Sequence, residues 1–346
     1  LIEKDKDYRY SWLKKSGMNS LSYLTISKNL KSYKGDWGGY IGYKQLFKCA
    51  VILGDPIVQK KDLHEAIRDF KKNCISKNVH ICIFLNTDYS KEVLIKEGFR
   101  GLFVGQEAIV DLNKFSISGK EGWSIRSSIN YAKRNKMIVE EYNQKENKCS
   151  FTEKELHRIT KEWCQVRKMN ELTFAFGHVD FENLDSGRYF ICKHKGRIVG
   201  FITYFPIYGL NSYYLDLSRR EINAPRGTID YLIVKSFEVL KNEGIKKVYI
   251  GYSPAANSQN SLNNQNFITN FFILFRPWLN IFYPFKSEFF FKKKYATEWQ
   301  DNYFYYYPKI SIRMLFALLH SIYTGGIATI IFNKIRYFPK NKIQRE

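Results

Sequence analysis

The chain is short of acids. Its 33 aspartates and glutamates stand against 55 lysines and arginines, a formal charge of +22. That balance disfavours cationic partners and favours polyanions, either nucleic acid or anionic lipid headgroups. A plainer source contributes as well, because Lys, Asn, Ile, Tyr and Phe are all abundant, as biased codon usage produces. The six cysteines (Cys49, Cys74, Cys82, Cys149, Cys164 and Cys192) form no CxxC and no Cys-His spacing suited to a metal, and the six histidines are scattered. A structural metal is therefore not expected, and scattered single thiols read as reduced residues in a cytoplasmic setting. Low-complexity linkers and short-period repeats are missing, which excludes solenoids and long tethers. No signal peptide is visible, and a start at Leu1 rather than Met points to a fragment or processed chain.

Long apolar runs are scarce too. Met314 to Phe332 is free of Asp, Glu, Lys and Arg, and is long enough to span a bilayer. His320, Ser321, Tyr323, Thr324, Gly325 and Gly326 dilute its middle. Arg313 precedes it, and Lys334, Arg336, Lys340, Lys342 and Arg345 follow. Basic flanks beside such a run suit an interfacial or docking helix on an anionic membrane better than a true span.

What is present supports a large core: 45% of residues are hydrophobic and 17% aromatic. A chain of 346 residues makes one large domain or two of ordinary size. Periodicity predicts helices over Asp62–Lys77, Lys91–Glu97, Glu121–Lys136, Glu153–Arg167 (with Thr152 as N-cap and Glu155 at the capping-box position) and Thr228–Asn242. It predicts strands over Val79–Leu85, Glu107–Leu112, Ser212–Leu217 and Lys246–Ile250. Arg188–Lys193 and Arg197–Phe205 read as a hairpin turned at Lys195-Gly196.

Polar chemistry concentrates in one region: Asp216-Leu-Ser-Arg219, then Asn223-Ala-Pro-Arg-Gly-Thr-Ile-Asp230, then Gly251-Tyr-Ser-Pro-Ala-Ala-Asn257. Charges, a Pro-Arg-Gly turn and a helix start lie there between two strand candidates, as suits a polar site at the open end of a sheet. Lys292, Lys293 and Lys294, flanked by Phe291 and Tyr295, suit a nucleic-acid backbone with stacking. Helix Glu121–Lys136, carrying Arg126, Lys133 and Arg134, is the other candidate for such contact. Each feature has a plainer alternative. Asp230 is also an ordinary first-turn acid facing a helix dipole, Asp216 and Arg219 a strand-end ion pair, the lysines a solvated run, and Asp180 a loop acid. Glu107 and Asp111 read as structural.

The second half, helix, hairpin, strand, helix and strand, resembles the order of GNAT acyltransferases. Members that use acyl-CoA carry an Arg/Gln-x-x-Gly-x-Gly/Ala loop at a helix start. Arg197-Ile-Val-Gly200 begins one, but Ile202 fills its last position inside a strand, so the acyl donor is expected not to be CoA. Val104-Gly-Gln-Glu-Ala-Ile-Val-Asp-Leu112, Phe115-Ser-Ile-Ser-Gly-Lys120, the three polar segments above, Phe291-Lys-Lys-Lys-Tyr295 and Tyr303-Phe-Tyr-Tyr-Tyr-Pro308 follow one another in order, after a Gly54-Asp-Pro56 turn. So ordered, from about Gly54 to Pro308, the chain resembles the C-terminal domain of phosphatidylglycerol lysyltransferases, the multiple peptide resistance factor family.

The resemblance implies an α+β fold of tandem GNAT-like units with flanking helices. It places a first unit over 1–150, a second with the active site over 151–308, and a membrane-proximal helix and basic tail over 309–346. It implies transfer of an amino acid, lysine or alanine, from aminoacyl-tRNA to the glycerol hydroxyl of phosphatidylglycerol at the cytoplasmic face of the membrane, with no cofactor and no metal. Asp216 and Asp230 are then the candidate catalytic residues. Asp180, Arg219, Arg226 and Asn257 are the candidate substrate contacts, and Arg126, Lys133, Lys292 and Lys294 the tRNA or phosphate contacts. Family members carry a multi-span N-terminal module that this sequence lacks, which implies an excised domain or a stand-alone relative. One departure is clear: the family commonly has an Arg just before its Phe-Lys-x-Lys segment, where Phe289 and Phe290 stand here. Two alternatives stay open, a tandem-GNAT enzyme acting on peptidoglycan precursors and a non-catalytic module that binds RNA or anionic membrane.

Overall fold

β-branched and aromatic runs bounded by turns dictate a wide sheet, and the computed structural model, which describes residues 2–143, 149–167, 187–254 and 285–322, shows eleven strands in one. In chain order the elements are α1 (Ile2–Ser16), β1 (Lys31–Tyr33), β2 (Ile41–Leu46), β3 (Cys49–Leu53), α2 (Leu63–Ser76), β4 (His80–Asn86), α3 (Asp88–Lys96) and β5 (Arg100–Asp111). There follow α4 (Trp123–Arg134), β6 (Ile138–Tyr142), α5 (Ser150–Arg167), β7 (Arg188–His194), β8 (Arg197–Ile207), β9 (Ser212–Arg220), α6 (Thr228–Asn242), β10 (Lys247–Ser253), α7 (Phe285–Lys293), β11 (Glu298–Tyr307) and α8 (Ile312–Ile322). Short 3₁₀ turns lie at Ser22–Ile26 and Tyr208–Leu210.

The same order occurs twice. An antiparallel pair (β2–β3, β8–β9) leads through a helix to a parallel partner (β4 after α2, β10 after α6). The last strand of each half then crosses to the other half. β5 pairs with β10, β11 pairs with β4, and β5 and β11 pair with each other at the centre. Alternating side chains bury both faces of the sheet. Helices α2, α3, α4 and α6 cover one face; α1, α5 and α8 cover the other.

Most elements stand where periodicity places them. The two-residue turn at Lys195 (φ 50°) and Gly196 (φ 77°) is left-handed at both positions, which matches the twist of the hairpin it closes. Two expectations need correction. Helix α5 starts at Ser150, and the Glu153 amide donates to the Cys149 carbonyl at 3.1 Å, so Thr152 lies buried inside the first turn and is not the N-cap. β5 begins at Arg100, well before the expected Glu107, because pairing with β11 carries the strand across Leu102-Phe103-Val104 and the glycines on either side of it, Gly101 and Gly105. Of the apolar run after Arg313, α8 takes the first part. It buries Met314, Ala317 and Leu318 against Cys49, Val51, Cys82, Phe304 and Tyr306. The remainder lies outside the described residues, among which no helix is long and apolar enough to cross a membrane.

The two parallel pairs differ sharply. β3 and β4 stay paired over five consecutive positions, from Cys49↔His80 to Leu53↔Phe84. Beyond them Asp55, buried at the Gly54-Asp-Pro56 turn, locks the strand ends. Its carboxylate accepts from Asn86 Nδ2 (2.8 Å), Ser90 Oγ (2.7 Å), Asn19 Nδ2 (3.0 Å), Thr87 Oγ1 (2.8 Å) and the Thr87 amide (3.3 Å). Replacing Asp55 with Ala orphans several buried donors at once, and the expected loss is about 3 kcal/mol in urea unfolding; a loss below about 0.5 kcal/mol would show that the lock is dispensable.

Candidate functional site

In the second half the equivalent parallel pair opens. β9 and β10 pair only at Tyr213↔Val248 and Tyr214↔Tyr249, then diverge towards their C-terminal ends. Two bulges widen the notch. On β9, Ile202 of β8 faces Ser218 and Tyr204 faces Leu215, so Thr203 opposes both Asp216 and Leu217. Thr203 Oγ1 accepts from the Leu217 amide at 3.0 Å, which satisfies the donor that the bulge removes from the ladder. On β10 the register shifts between Tyr249 and Tyr252, at Gly251 (φ 92°).

Asp216 thus sits half-buried in the β9 bulge, where side chains are re-aimed relative to the regular pleat. Arg219, three residues on, is 4% exposed, and its guanidinium lies 5.0 Å from the ring centroid of Trp163 on α5. Helix α5 is held there by Arg158, which pairs with Glu155 (2.9 Å), Glu162 (3.2 Å) and Glu221 (3.0 Å).

A cation reaches the notch from α7. A β-carbon at Gly251 would lie 3.4 Å from Lys292 Nζ and 3.7 Å from the Tyr214 ring, in ordinary contact, so it is the backbone angle that calls for glycine. Lys292 Nζ donates to the Tyr252 carbonyl at 2.6 Å. Burial draws its pKa down, while the charges of Glu288 and Glu107 act in the opposite sense. Glu107, on β5 opposite Tyr252, is 3% exposed and accepts from Ser20 Oγ at 2.9 Å. Burial pushes this carboxyl up to about 7, against the lowering effect of Ser20 and Lys292. Sequence alone suggests a structural role for Glu107 and does not place it near the notch. It offers one signal: Glu107 shares its strand face with Ile109, an acid in a core-facing position.

Asp230 has a different setting. It lies in the first turn of α6 and accepts from Ser128 Oγ (2.7 Å), Lys294 Nζ (2.8 Å) and the Tyr295 hydroxyl. These bonds tie α6 to α4 and to the end of α7. Gly227 (φ 80°) lets the turn before α6 press on α4, since a β-carbon there would meet Ser128 at 2.8 Å. Arg226 beside it is exposed, as is Lys133 on α4. Arg126 Nη1 donates to the carbonyls of Ile117 and Gly119 (2.7 Å to the latter), holding the loop before α4. Asp216 and Arg219 thus lie on β9 beyond its last pairing with β10, Lys292 lies against Gly251 of β10, and Asp230 and Lys294 join in one tie. Asp180 and Asn257 lie outside the described residues.

Comparison with known proteins identifies the family. The family model "Phosphatidylglycerol lysyltransferase, C-terminal" covers residues 10–306. Relatives include the phosphatidylglycerol lysyltransferases of Bacillus subtilis, 27% identical over 91% of this chain, and of Staphylococcus epidermidis, 24% identical over 87%. The chain spans 36% and 35% of the length of these two relatives. Among solved structures, a C-terminal domain from Agrobacterium fabrum, described as that of a putative lysylphosphatidylglycerol synthetase, aligns with a TM-score of 0.80 at 18% identity, over 94% of this chain and all of its own. L-PGS from Bacillus licheniformis aligns at 0.75 and 23%, over 95% of this chain and 96% of its own. At these identities the two structures bear on the fold alone. With the family model matched along most of its length, the chain belongs to the phosphatidylglycerol lysyltransferase C-terminal domain family.

Proposed function

We propose that this chain transfers an amino acid, with lysine as the first candidate, from aminoacyl-tRNA to the glycerol hydroxyl of phosphatidylglycerol. The observation that carries this reading is the β9–β10 notch, where among the described residues the two strands part after two paired positions and a lysine ammonium enters, in a member of this family. The second half, 151–308, carries the site, and the locked β3–β4 pair explains why the first half does not offer a second one.

The reaction is an ester exchange. The lipid hydroxyl oxygen bonds to the aminoacyl carbonyl carbon, the bond from that carbon to the tRNA ribose oxygen breaks, and the hydroxyl proton ends on the ribose oxygen. The ester is already activated, so the step consumes no nucleotide. Its demands are proximity, one proton transfer and a counter-charge for the developing oxyanion. Lys292 in the notch supplies the counter-charge. Asp216, in the bulge beside it, handles the proton or holds the aminoacyl ammonium. Arg219 is a phosphate contact at the floor of the same strand. Asp230, already accepting three bonds, acts as a strut that fixes α6 relative to α7. The exposed cations Arg226, Lys133 and Lys293 suit the tRNA backbone, whereas Lys292 and Lys294 are engaged within the protein.

The membrane-facing surface that we assign is the outer side of α8. Ile312 and Phe316 are exposed there, with Phe47 of the β2–β3 turn packed edge-on against His320 at 5.7 Å. Arg313, Lys48 and Lys309 ring this patch with charge. A peripheral site on the anionic cytoplasmic leaflet fits that chemistry.

Two outcomes are expected. Asp216→Ala lowers transfer from charged tRNA to phosphatidylglycerol vesicles by about 100-fold or more while the far-UV spectrum and vesicle binding stay unchanged; near-normal turnover would remove Asp216 from the site. If no charged tRNA yields an aminoacylated lipid although both substrates bind, the non-catalytic module is the better reading. Phe316→Asp weakens sedimentation with anionic vesicles by roughly tenfold and leaves binding to free tRNA unaltered; equal loss of both would mean a fold defect rather than a docking face.

A further inference from the structure

β5 belongs by sequence to the first half, yet it lines the notch of the second, because it pairs with β10 instead of β4. It carries a carboxylate to that place. Glu107 stands opposite Tyr252, and the Tyr252 carbonyl is the acceptor for Lys292 Nζ. Ser20, just before the 3₁₀ turn that packs on this face, donates to Glu107 Oε2 at 2.9 Å and so fixes the carboxyl from the far side. An isolated acid in such a setting would be costly unless a cation or donors answered it. Ser20 supplies the donor, and Lys292, though not in ion-pair contact, supplies a charge that favours the carboxylate through space.

We propose that Glu107 is a positioning residue whose negative charge, carried on the strand position opposite Tyr252, keeps the Lys292 amine charged in the notch, with Ser20 orienting the carboxylate. The inference rests on the reading of Lys292 as the counter-charge for the oxyanion. A lysine amine surrounded by buried strand ends is drawn towards its neutral form, which has no charge to offer an oxyanion. Glu107 opposes that drift. The other titratable groups near the two are Tyr249 and Tyr252 on β10, Tyr214 on β9, and Glu288 one turn back on α7. Burial pushes the Tyr249 hydroxyl up to about 12 and raises that of Tyr252, so both stay neutral through the working range. Glu288 also favours the charged lysine, so the effect of removing Glu107 is expected to be partial. The site of one half is on this reading incomplete without a side chain from the other.

The test follows the lysine itself. In protein labelled with ¹³C and ¹⁵N at lysine, the Lys292 signal, assigned by its loss in Lys292→Arg, is titrated by NMR in wild type and in Glu107→Gln. The expected result is a fall in Lys292 proton affinity of about tenfold, one pH unit, in Glu107→Gln, with a smaller fall in the milder Ser20→Ala. Transfer assays on the same proteins are expected to show a lower kcat with KM for the lipid unmoved, and an alkaline limb displaced to lower pH. An unchanged Lys292 titration in both variants overturns the proposal and leaves Glu107 as a tie between β5 and the Ser22–Ile26 turn. If the Lys292 titration moves but the transfer profile does not, the pairing stands, and it is the oxyanion role of Lys292 that fails.

Discussion

The antiparallel pairing of β5 with β11 is the seam on which both halves depend. It runs from Glu298↔Ile109 to Tyr306↔Arg100, with one shift at Gly105. Each strand comes from one half and has its other neighbour in the opposite half. A half without its exchanged partner would present an open edge at β4 or β10, with unpaired amides along a buried strand. The exchange removes both edges and makes one sheet of two similar units. It also fixes what lies beside the notch, since β5 of the first half occupies that side of β10.

Similar units need not have similar sites. Where β3 and β4 keep five paired positions, Asp55 gathers donors from separate segments and closes the end of the pair. Where β9 and β10 part after two, the place corresponding to that lock is taken by a bulge, a glycine and a lysine. On the proposed assignment of the site, the difference between the two units comes down to whether strand-end amides and carbonyls find each other or part. Buried polar groups must be satisfied in either case. In the first half Asp55 does this, and in the second Thr203 and Lys292 do part of it.

Much of this is legible in the amino-acid sequence. The helix over Thr228–Asn242 and the hairpin turned at Lys195-Gly196 follow from local periodicity and turn chemistry, which act over a few residues. The polar cluster from Asp216 to Gly251 is visible because charges seldom interrupt apolar strands without a reason. The pairings are not legible. Nothing near Asp230 announces that Ser128, 102 positions away, and Tyr295, 65 positions away, fill its carboxylate. Asp216 and Asp230 look equivalent in sequence, as two acids bracketing a Pro-Arg-Gly turn. They differ only through which segments the sheet brings against them. Glu107 escapes sequence reasoning for the same reason, since its neighbourhood is created by the strand exchange.

The large positive charge can be sorted on the same principle. A count of +22 treats every lysine alike, yet the structure uses them in two ways. Lys292 and Lys294 are held on specific acceptors within the fold. Lys294 is offset by the Asp230 carboxylate, so the pair presents a dipole rather than a lone charge, and salt screens what remains over about 8 Å; Lys292, on a neutral carbonyl, keeps its charge but places it inside the fold. Arg226, Lys133, Arg313 and Lys48 stand exposed and contribute to that field. The first two belong to the helical layer of α4 and α6, and the other two to α8 and the β2–β3 turn on the opposite face. Under the proposed transfer the protein meets two polyanions, a nucleic acid and a lipid surface, and it gains from this separation. If both sets of cations lay on one face, either partner would compete for the whole of it. Two separate faces would allow both to be bound at once, as the proposed transfer requires.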